Sequence, residues 1–385
     1  MTTSCSALLA LALLAPALAA QESRPRSLHV VELEGTPFER GREHGTRLRA
    51  EIAELMPAFR KDLASAIGGD SQTAAARFMA VTKYEAAIRR FTPALLDEVR
   101  GIAMGSGQTY EDVLVYQLAD EIWAQAGLLF GHKCTTIGVD RDGDRPAFVA
   151  QNMDLPEWMH SHPTVLRIRH PEKDLESLVV TLPGMLGGNG MNSKRVAVGV
   201  NTVLQIRACT DGLPVTFVVR GLLEQEDQTS AITFLDRVRH ASGQAYTIGG
   251  PDKVSGFECS AGKVVPFLTS PPGPRIWHTN HPIASTDWSV RFERAAASKG
   301  KQPADITFAC PRLAAVSKAL GLERSITIAD VLGALSAREH GVCNAMTYVC
   351  TVMVLGPQPE LRVSAGPADR AKFEVLRFTS STQQR

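Results

Sequence analysis

A chain of 385 residues that is 44% hydrophobic and 21% charged is long enough for one large core or two ordinary ones. Its 41 basic and 40 acidic residues leave a net charge of +1, so no long-range field steers it toward nucleic acid or an anionic membrane. Aromatic residues make up only 6% of the chain, which argues further against a base-stacking surface.

The first 20 residues read as a targeting segment. An apolar run from Ala7 to Ala20 ends in Ala17-Leu18-Ala19-Ala20, small residues of an A-x-A cleavage type. The run is shorter than the ~20 residues a bilayer span needs, so export is expected rather than stable membrane insertion, with a mature start near Gln21. Cys5 leaves with this segment. Cys134, Cys209, Cys259, Cys310, Cys343 and Cys350 remain, without disulfide-scaffold spacing or a C-x-x-C pair.

Residues 28–34 alternate as a strand and run into the turn Gly35-Thr36-Pro37. A helix is expected over 39–66, where Leu48, Ile52, Leu55 and Met56 fall at helical spacing. Further helices are expected at 72–90, 94–104 and 109–127, making the front of the mature chain mainly helical. The character changes at Cys134. Cys134–Asp140 and 147–151 are β-like, and Asp142-Gly143 between them is a hairpin signal. Strands are expected at 164–170, 177–182 and 195–201, with a glycine-rich loop over 184–190. Helices at 215–225 and 230–241 precede strands at 245–249, 254–259 and 263–268. The connector Pro271-Pro272-Gly273-Pro274 leads to helices at 286–298, 312–320 and 327–337, then strands at 345–356, 360–364 and 373–378. This order is α+β rather than alternating βαβ, and two antiparallel sheets with helices on both outer faces fit it.

Cys134, after a turn-forming Gly131, admits three readings. It is a small buried hydrophobe, a papain-like nucleophile beside a helix N-terminus and a histidine, or an N-terminal nucleophile that uses its own α-amine as base. The last needs the chain to be cut before Cys134. An α-amine has a pKa of about 7.7–8.0, near the range where a general base works well.

A set of motifs in fixed order bears on that choice. They are Cys134-Thr135-Thr136, Gln151-Asn152-x-Asp154, Gly190-Met191-Asn192-Ser193, Asn201 and His278-Thr279-Asn280-His281. Earlier comes Gly35-x-Pro37-x-Glu39-Arg40-Gly41-x-x-His44-Gly45, and Gly212-x-Pro214 precedes Arg220-Gly-Leu-Leu-Glu224. Together they resemble the acyl-coenzyme A:6-aminopenicillanic acid acyltransferase family, autoproteolytic N-terminal-nucleophile (Ntn) cysteine hydrolases. The resemblance spans nearly all of residues 30–385. It implies a four-layer αββα Ntn-hydrolase sandwich and self-cleavage between Lys133 and Cys134. Residues 1–20 would be a signal peptide, 21–133 a helical activation segment that becomes the α chain, and 134–385 the catalytic β chain.

By the same resemblance Cys134 attacks an acyl carbonyl, Asp154 orients the new α-amine, and Asn280 donates to the oxyanion. Gln151, Asn152 and Asn192 are weaker candidates for oxyanion or positioning roles. Two departures stand out. Lys133 occupies a place where the better-known acyltransferase has glycine, and Asn344 one where the family often has arginine.

The substrate implied is a small acyl amide: an N-acyl amide or amino acid, an acylated β-lactam or a lipid amide. No cofactor, metal or nucleic acid is implied. The partners would be the two chains of one precursor, with a homo-oligomer left open. An exported protein meets little coenzyme A, so hydrolysis is expected ahead of transfer. Two rivals remain. His160-x-His162 and His278-x-x-His281 could serve a zinc hydrolase, although no H-E-x-x-H accompanies them. Phe130 and Glu157-Trp158-Met159 could line an apolar pocket in a non-catalytic binding protein on the same fold.

Overall fold

The computed structural model describes residues 26–128, 134–269, 272–321 and 325–379. The expected targeting segment, with Phe130, Gly131, Lys133 and Pro271, lies outside these residues.

Strand β1 (His29–Leu33) leads into a helix whose start is written in its first turn. Thr36 accepts the Glu39 amide, Glu39 accepts the Thr36 amide at 2.8 Å, and Pro37 sits at the helix start. This is a capping box with proline where its missing N–H costs nothing. The helix expected over 39–66 is two helices, α1 (Pro37–Arg47) and α2 (Arg49–Ile67), divided at Leu48. Its neighbours divide in the same way. α3 (Ala74–Ala80) and α4 (Tyr84–Phe91) occupy 72–90, α5 (Pro93–Ser106) follows, and α6 (Tyr110–Tyr116) and α7 (Ala119–Ala126) occupy 109–127.

Close contact with α5 holds α1 in place. Gly41 and Gly45 on α1 meet Gly101 and Gly105 on α5 backbone to backbone. A Cβ at Gly41 would stand 1.9 Å from the Glu98 carbonyl oxygen, and one at Gly105 2.2 Å from that of Arg42. α2 leaves this contact and buries Ile52, Leu55, Met56, Phe59 and Leu63 in its own packing. The apolar period begins at the break, because α1 buries Arg40, Gly41, His44 and Gly45 instead of apolar side chains.

Strands β2 (Thr135–Val139) and β3 (Phe148–Asp154) form the expected hairpin, paired from Thr135↔Asn152 to Val139↔Phe148. Gly143 takes a φ of 58° in the turn, a conformation glycine adopts without cost. The chain continues through β4 (Thr164–His170), β5 (Leu175–Thr181), β6 (Asn189–Asn192), β7 (Ala197–Thr202), α8 (Val215–Leu223) and α9 (Gln228–Arg237). Next come β8 (Gln244–Gly249), β9 (Val254–Cys259), β10 (Val264–Phe267) and β11 (Arg275–His278). The last elements are α10 (Val290–Ala297), α11 (Pro311–Leu320), α12 (Ile328–Ser336), β12 (Thr347–Val354), β13 (Glu360–Ser364) and β14 (Phe373–Arg377).

Two sheets result. One runs β1-β4-β5-β6-β7-β8-β9-β10 and the other β11-β2-β3-β12-β13-β14. They face each other, with β2 and β3 against β7 and β8. Helices α8 and α9 cover the outer face of the larger sheet. Val316 and Leu320 of α11 and Val331 and Leu335 of α12 cover Ile137, Phe148 and Val352 of the smaller one. The architecture is the expected αββα sandwich, with one correction. The sheets are not wholly antiparallel, because β1 pairs parallel with β4. The connection between them spans seven helices and a hairpin, ample for the crossover that parallel pairing requires.

A buried ionic joint ties the helical front of the chain to the rest. Arg220 of α8 donates to both oxygens of Glu98 of α5, at 2.7 and 2.9 Å. Arg40 of α1 lies 3.7 Å from the same carboxylate, and His44 Nε2 accepts the Gly184 amide at 2.9 Å. The glycine-rich front motif and the Arg220 motif therefore meet in one structural cluster.

Candidate active site

Cys134 immediately precedes β2, and Asp154 is the last residue of β3. The hairpin register carries Asp154 past the start of β2, so the cysteine and the carboxylate share one strand end. Cys134 is buried in the main core with Met153, on the side facing the larger sheet. Burial, with the charge of Asp154 adding to it, pushes the thiol up to about 12, against a bond from the Asp154 amide. Both leading influences oppose ionisation, the reverse of the electropositive setting of a papain-like thiolate.

Asp154 is held from the other side by the start of β12. Its Oδ1 accepts the Thr347 hydroxyl at 2.7 Å, and Thr347 is its cross-strand partner. Its Oδ2 accepts Asn344 Nδ2 at 2.8 Å. The Asn344 side-chain oxygen accepts the Met346 amide, which fixes which end of the side chain meets Asp154. In place of a cation, Asn344 supplies a neutral donor.

Asn280 arrives by sheet pairing. β11 pairs with β2 through His278↔Thr136, and continuing that register brings Asn280 to Cys134. Its Nδ2 donates to the Thr202 carbonyl at 3.0 Å, which occupies one of two hydrogens. Its Oδ1 accepts Arg312 Nη2 at 2.9 Å. Arg312 Nη1 donates to the Cys134 carbonyl at 2.6 Å and to Thr135 Oγ1 at 3.1 Å. The sequence reading passed over Arg312. It is the second residue of α11, and no motif or spacing marks it. Only the packing of α11 on the smaller sheet brings it here.

The weaker candidates are engaged elsewhere. Gln151 bonds to the backbone of Val200 and to Asn189, joining the two sheets. Asn152 points outward and donates to the carbonyls of Leu335 and Val342, which ties β3 to the helix layer. Asn192 donates to Leu223 and Gln225 at the end of α8 and accepts the amides of its own turn. Lys133 lies outside the described residues.

The histidines are divided among separate tasks. His160 sits between Arg26 and the Leu155 carbonyl, and His162 meets Glu54 at 3.0 Å. His278 Nε2 lies 2.8 Å from Glu258 Oε1, and the carboxylate also accepts the amides of Ile283, Ala284 and Ser285. That fan of bonds shapes the loop after Asn280. Among the described residues no group of three or more His, Cys, Asp or Glu is placed to hold a metal ion. Beyond Asn280, the Thr279 hydroxyl touches both His281 Nδ1, at 3.1 Å, and Cys310 Sγ, at 3.4 Å. Burial alone would raise the Cys310 thiol. Bonds from His281, Thr279 and the Leu313 amide, with the charge of Arg312, bring it down to about 6.

Cys134 thus stands at the head of a central strand in an αββα sandwich, with the Asp154 carboxylate and the Asn280 amide at the same strand end. Residues 140–299 match the model of the family described as Acyl-coenzyme A:6-aminopenicillanic acid acyl-transferase, the family that the motifs resemble. The chain is 25% identical over 259 residues to the acyl-coenzyme A:6-aminopenicillanic-acid-acyltransferase 40 kDa form of Emericella nidulans, covering 66% of this chain and 69% of that protein. The family resemblance is borne out, and the protein is an enzyme. Among solved structures, a Caenorhabditis elegans N-acylethanolamine-hydrolyzing acid amidase ortholog matches with a TM-score of 0.42 and 17% identity, over 64% of this chain and all of that one. Penicillin V acylase from Agrobacterium tumefaciens matches with a TM-score of 0.38 and 13% identity, over 64% and 86%.

Proposed function

We propose that this chain is exported, cuts itself before Cys134, and then uses Cys134 as an N-terminal nucleophile on a small acyl amide. In the cut, the Cys134 thiol adds to the carbonyl of residue 133, the acyl group passes from nitrogen to sulfur, and water releases it. This leaves a carboxylate on residue 133 and a free α-amine on Cys134. In turnover the α-amine takes the thiol proton as sulfur attacks the substrate carbonyl. The proton passes to the leaving amine, and water resolves the Cys134 thioester to a free acid. Asp154 orients the α-amine, and Asn280 donates its remaining Nδ2 hydrogen to the oxyanion. Hydrolysis prevails over transfer.

The observation that carries this reading is the convergence at one strand end of Cys134, the anchored Asp154 carboxylate and the Asn280 amide. The raised thiol supports it as well. A buried, protonated cysteine needs a base, and an α-amine created at the same residue is one without any other group moving.

The test is denaturing electrophoresis with intact-mass analysis of the protein recovered from the exported fraction. The expected result is two fragments, beginning near residue 21 and at Cys134. Cys134→Ala should give a single inactive chain. An uncut wild-type chain that turns over amides would overturn the proposal. Product analysis on an N-acyl amino acid, an acylated β-lactam and a lipid amide should show free acid. Transfer from coenzyme A thioesters far faster than hydrolysis would overturn that part.

A further inference from the structure

Arg312 belongs to the outer helix layer, yet its guanidinium meets three acceptors at the strand end that carries Cys134. These are the Cys134 carbonyl, the Thr135 hydroxyl and the Asn280 amide oxygen. The three come from the start of β2, the residue before it, and the loop after β11. The planar fork of an arginine spans such a set, whereas a lysine offers one compact point charge.

The contact with Asn280 has a directional consequence. A side-chain amide can be turned over end for end, and its two ends have opposite hydrogen-bonding character. A guanidinium only donates, so it selects the orientation in which Oδ1 faces α11. Nδ2 must then face the other way, toward Thr202 and the thiol side of the strand end. With the Cys134 carbonyl held by the same guanidinium, the nucleophile and the amide donor are fixed in one frame. Asp120 of α7 extends that frame by accepting the Thr202 hydroxyl at 2.8 Å.

We infer that Arg312 is a positioning residue for acyl transfer, locking the Asn280 amide with its N–H groups toward Cys134 and fixing Cys134 to the same support. The inference rests on the reading of Cys134 as the nucleophile. Losing one oxyanion donor costs roughly 10²–10³ in rate, and an arginine acting through that donor controls part of the same effect. Arg312→Lys and Arg312→Ala in the cut protein should therefore lower kcat about 10- to 100-fold, with KM changed little.

The experiment measures kcat and KM for both variants, alone and combined with Asn280→Ala, using the best amide of the panel above. Added guanidinium should restore part of kcat in Arg312→Ala, which a general loss of packing would not allow. In the Asn280→Ala background the Arg312 substitution should lose most of its effect. If Arg312→Ala does not fold or is not cut, Arg312→Lys decides. Wild-type kcat in the lysine variant, or full additivity with Asn280→Ala, overturns the inference. The underlying reading fails separately, if Cys134→Ala keeps the turnover of the wild type.

Discussion

Cys134 and Cys310 both feel the charge of Arg312 and are shifted in opposite directions, up to about 12 and down to about 6. A thiol's reactivity follows its thiolate fraction, so Cys310 should separate cleanly from the buried cysteines in an alkylation experiment. In uncut Cys134→Ala, iodoacetamide should label Cys310 first, ahead of Cys259 and Cys350, whose burial raises their thiols. Labelling read by peptide mass spectrometry should rise with pH through about 6 and then level off. A midpoint above 8 would mean that the His281–Thr279 contact does not act on the sulfur. Asp154 offers a second residue-scale prediction. In Asp154→Asn the new side chain can still accept from Asn344 through its oxygen and donate to the Thr347 hydroxyl through its nitrogen, so the fold should persist. In the proposed mechanism this removes the charge that orients the α-amine, and turnover should fall by about a hundredfold, as for other single groups in preorganised sites. Thermal unfolding close to wild type together with unchanged turnover would remove Asp154 from the chemistry.

Among the elements, the α1–α5 contact tests how closely two backbones are fitted. Alanine is the better helix former by about 1 kcal/mol, yet a Cβ at Gly41 would collide with the Glu98 carbonyl oxygen, and a backbone atom cannot step aside alone. Gly41→Ala should cost about 2 kcal/mol net. Gly333→Ala in α12 is the matched control. Nothing lies within 4 Å of its Cβ position, so it should stabilise by about 0.5–1 kcal/mol. Urea unfolding of both variants checks the pair, and equal effects would refute the steric argument. This contact also shows what the sequence makes legible. The apolar period from Leu48 to Met56 marks helix, but not the break at Leu48, because it starts there and α1 buries Arg40, Gly41, His44 and Gly45, which carry no apolar signal. The hairpin before Asp154 is legible because Asp142-Gly143 is local chemistry. The four-residue β11 is too short to show a period, and the parallel pairing of β1 depends on partners far along the chain. Arg312 is invisible for the same reason. Asn280 and Asp154 are readable only because motif order links them to Cys134.

Across the whole molecule, the Glu98–Arg220 joint and three buried histidines decide how the fold responds to acid. His44, His170 and His240 are each lowered to about 4, burial being the leading cause. Their unfolded pKa is about 6.5. Between pH 6.5 and 4 the unfolded chain takes up protons that the folded chain refuses, so stability falls as pH falls through that window. Each histidine contributes up to about 3 kcal/mol at its lower end. Glu121 runs the other way. Burial, helped by Asp120, raises it to about 8, so its contribution is complete below its unfolded pKa and is lost as pH rises toward 8. Three groups outweigh one, and the net expectation is a loss of stability on acidification. Glu98 and Glu224 are held below the ordinary range against their burial, chiefly by Arg220. They add to the loss once pH falls below about 4.5. The measurement is urea unfolding of uncut Cys134→Ala from pH 8 to pH 4, a single chain in which unfolding stays unimolecular. His44→Gln, whose Oε1 can still accept the Gly184 amide, should flatten the slope between pH 6.5 and 4 by close to one proton. An unfolding free energy that stays level over that window would mean the three histidines do not remain neutral in the fold.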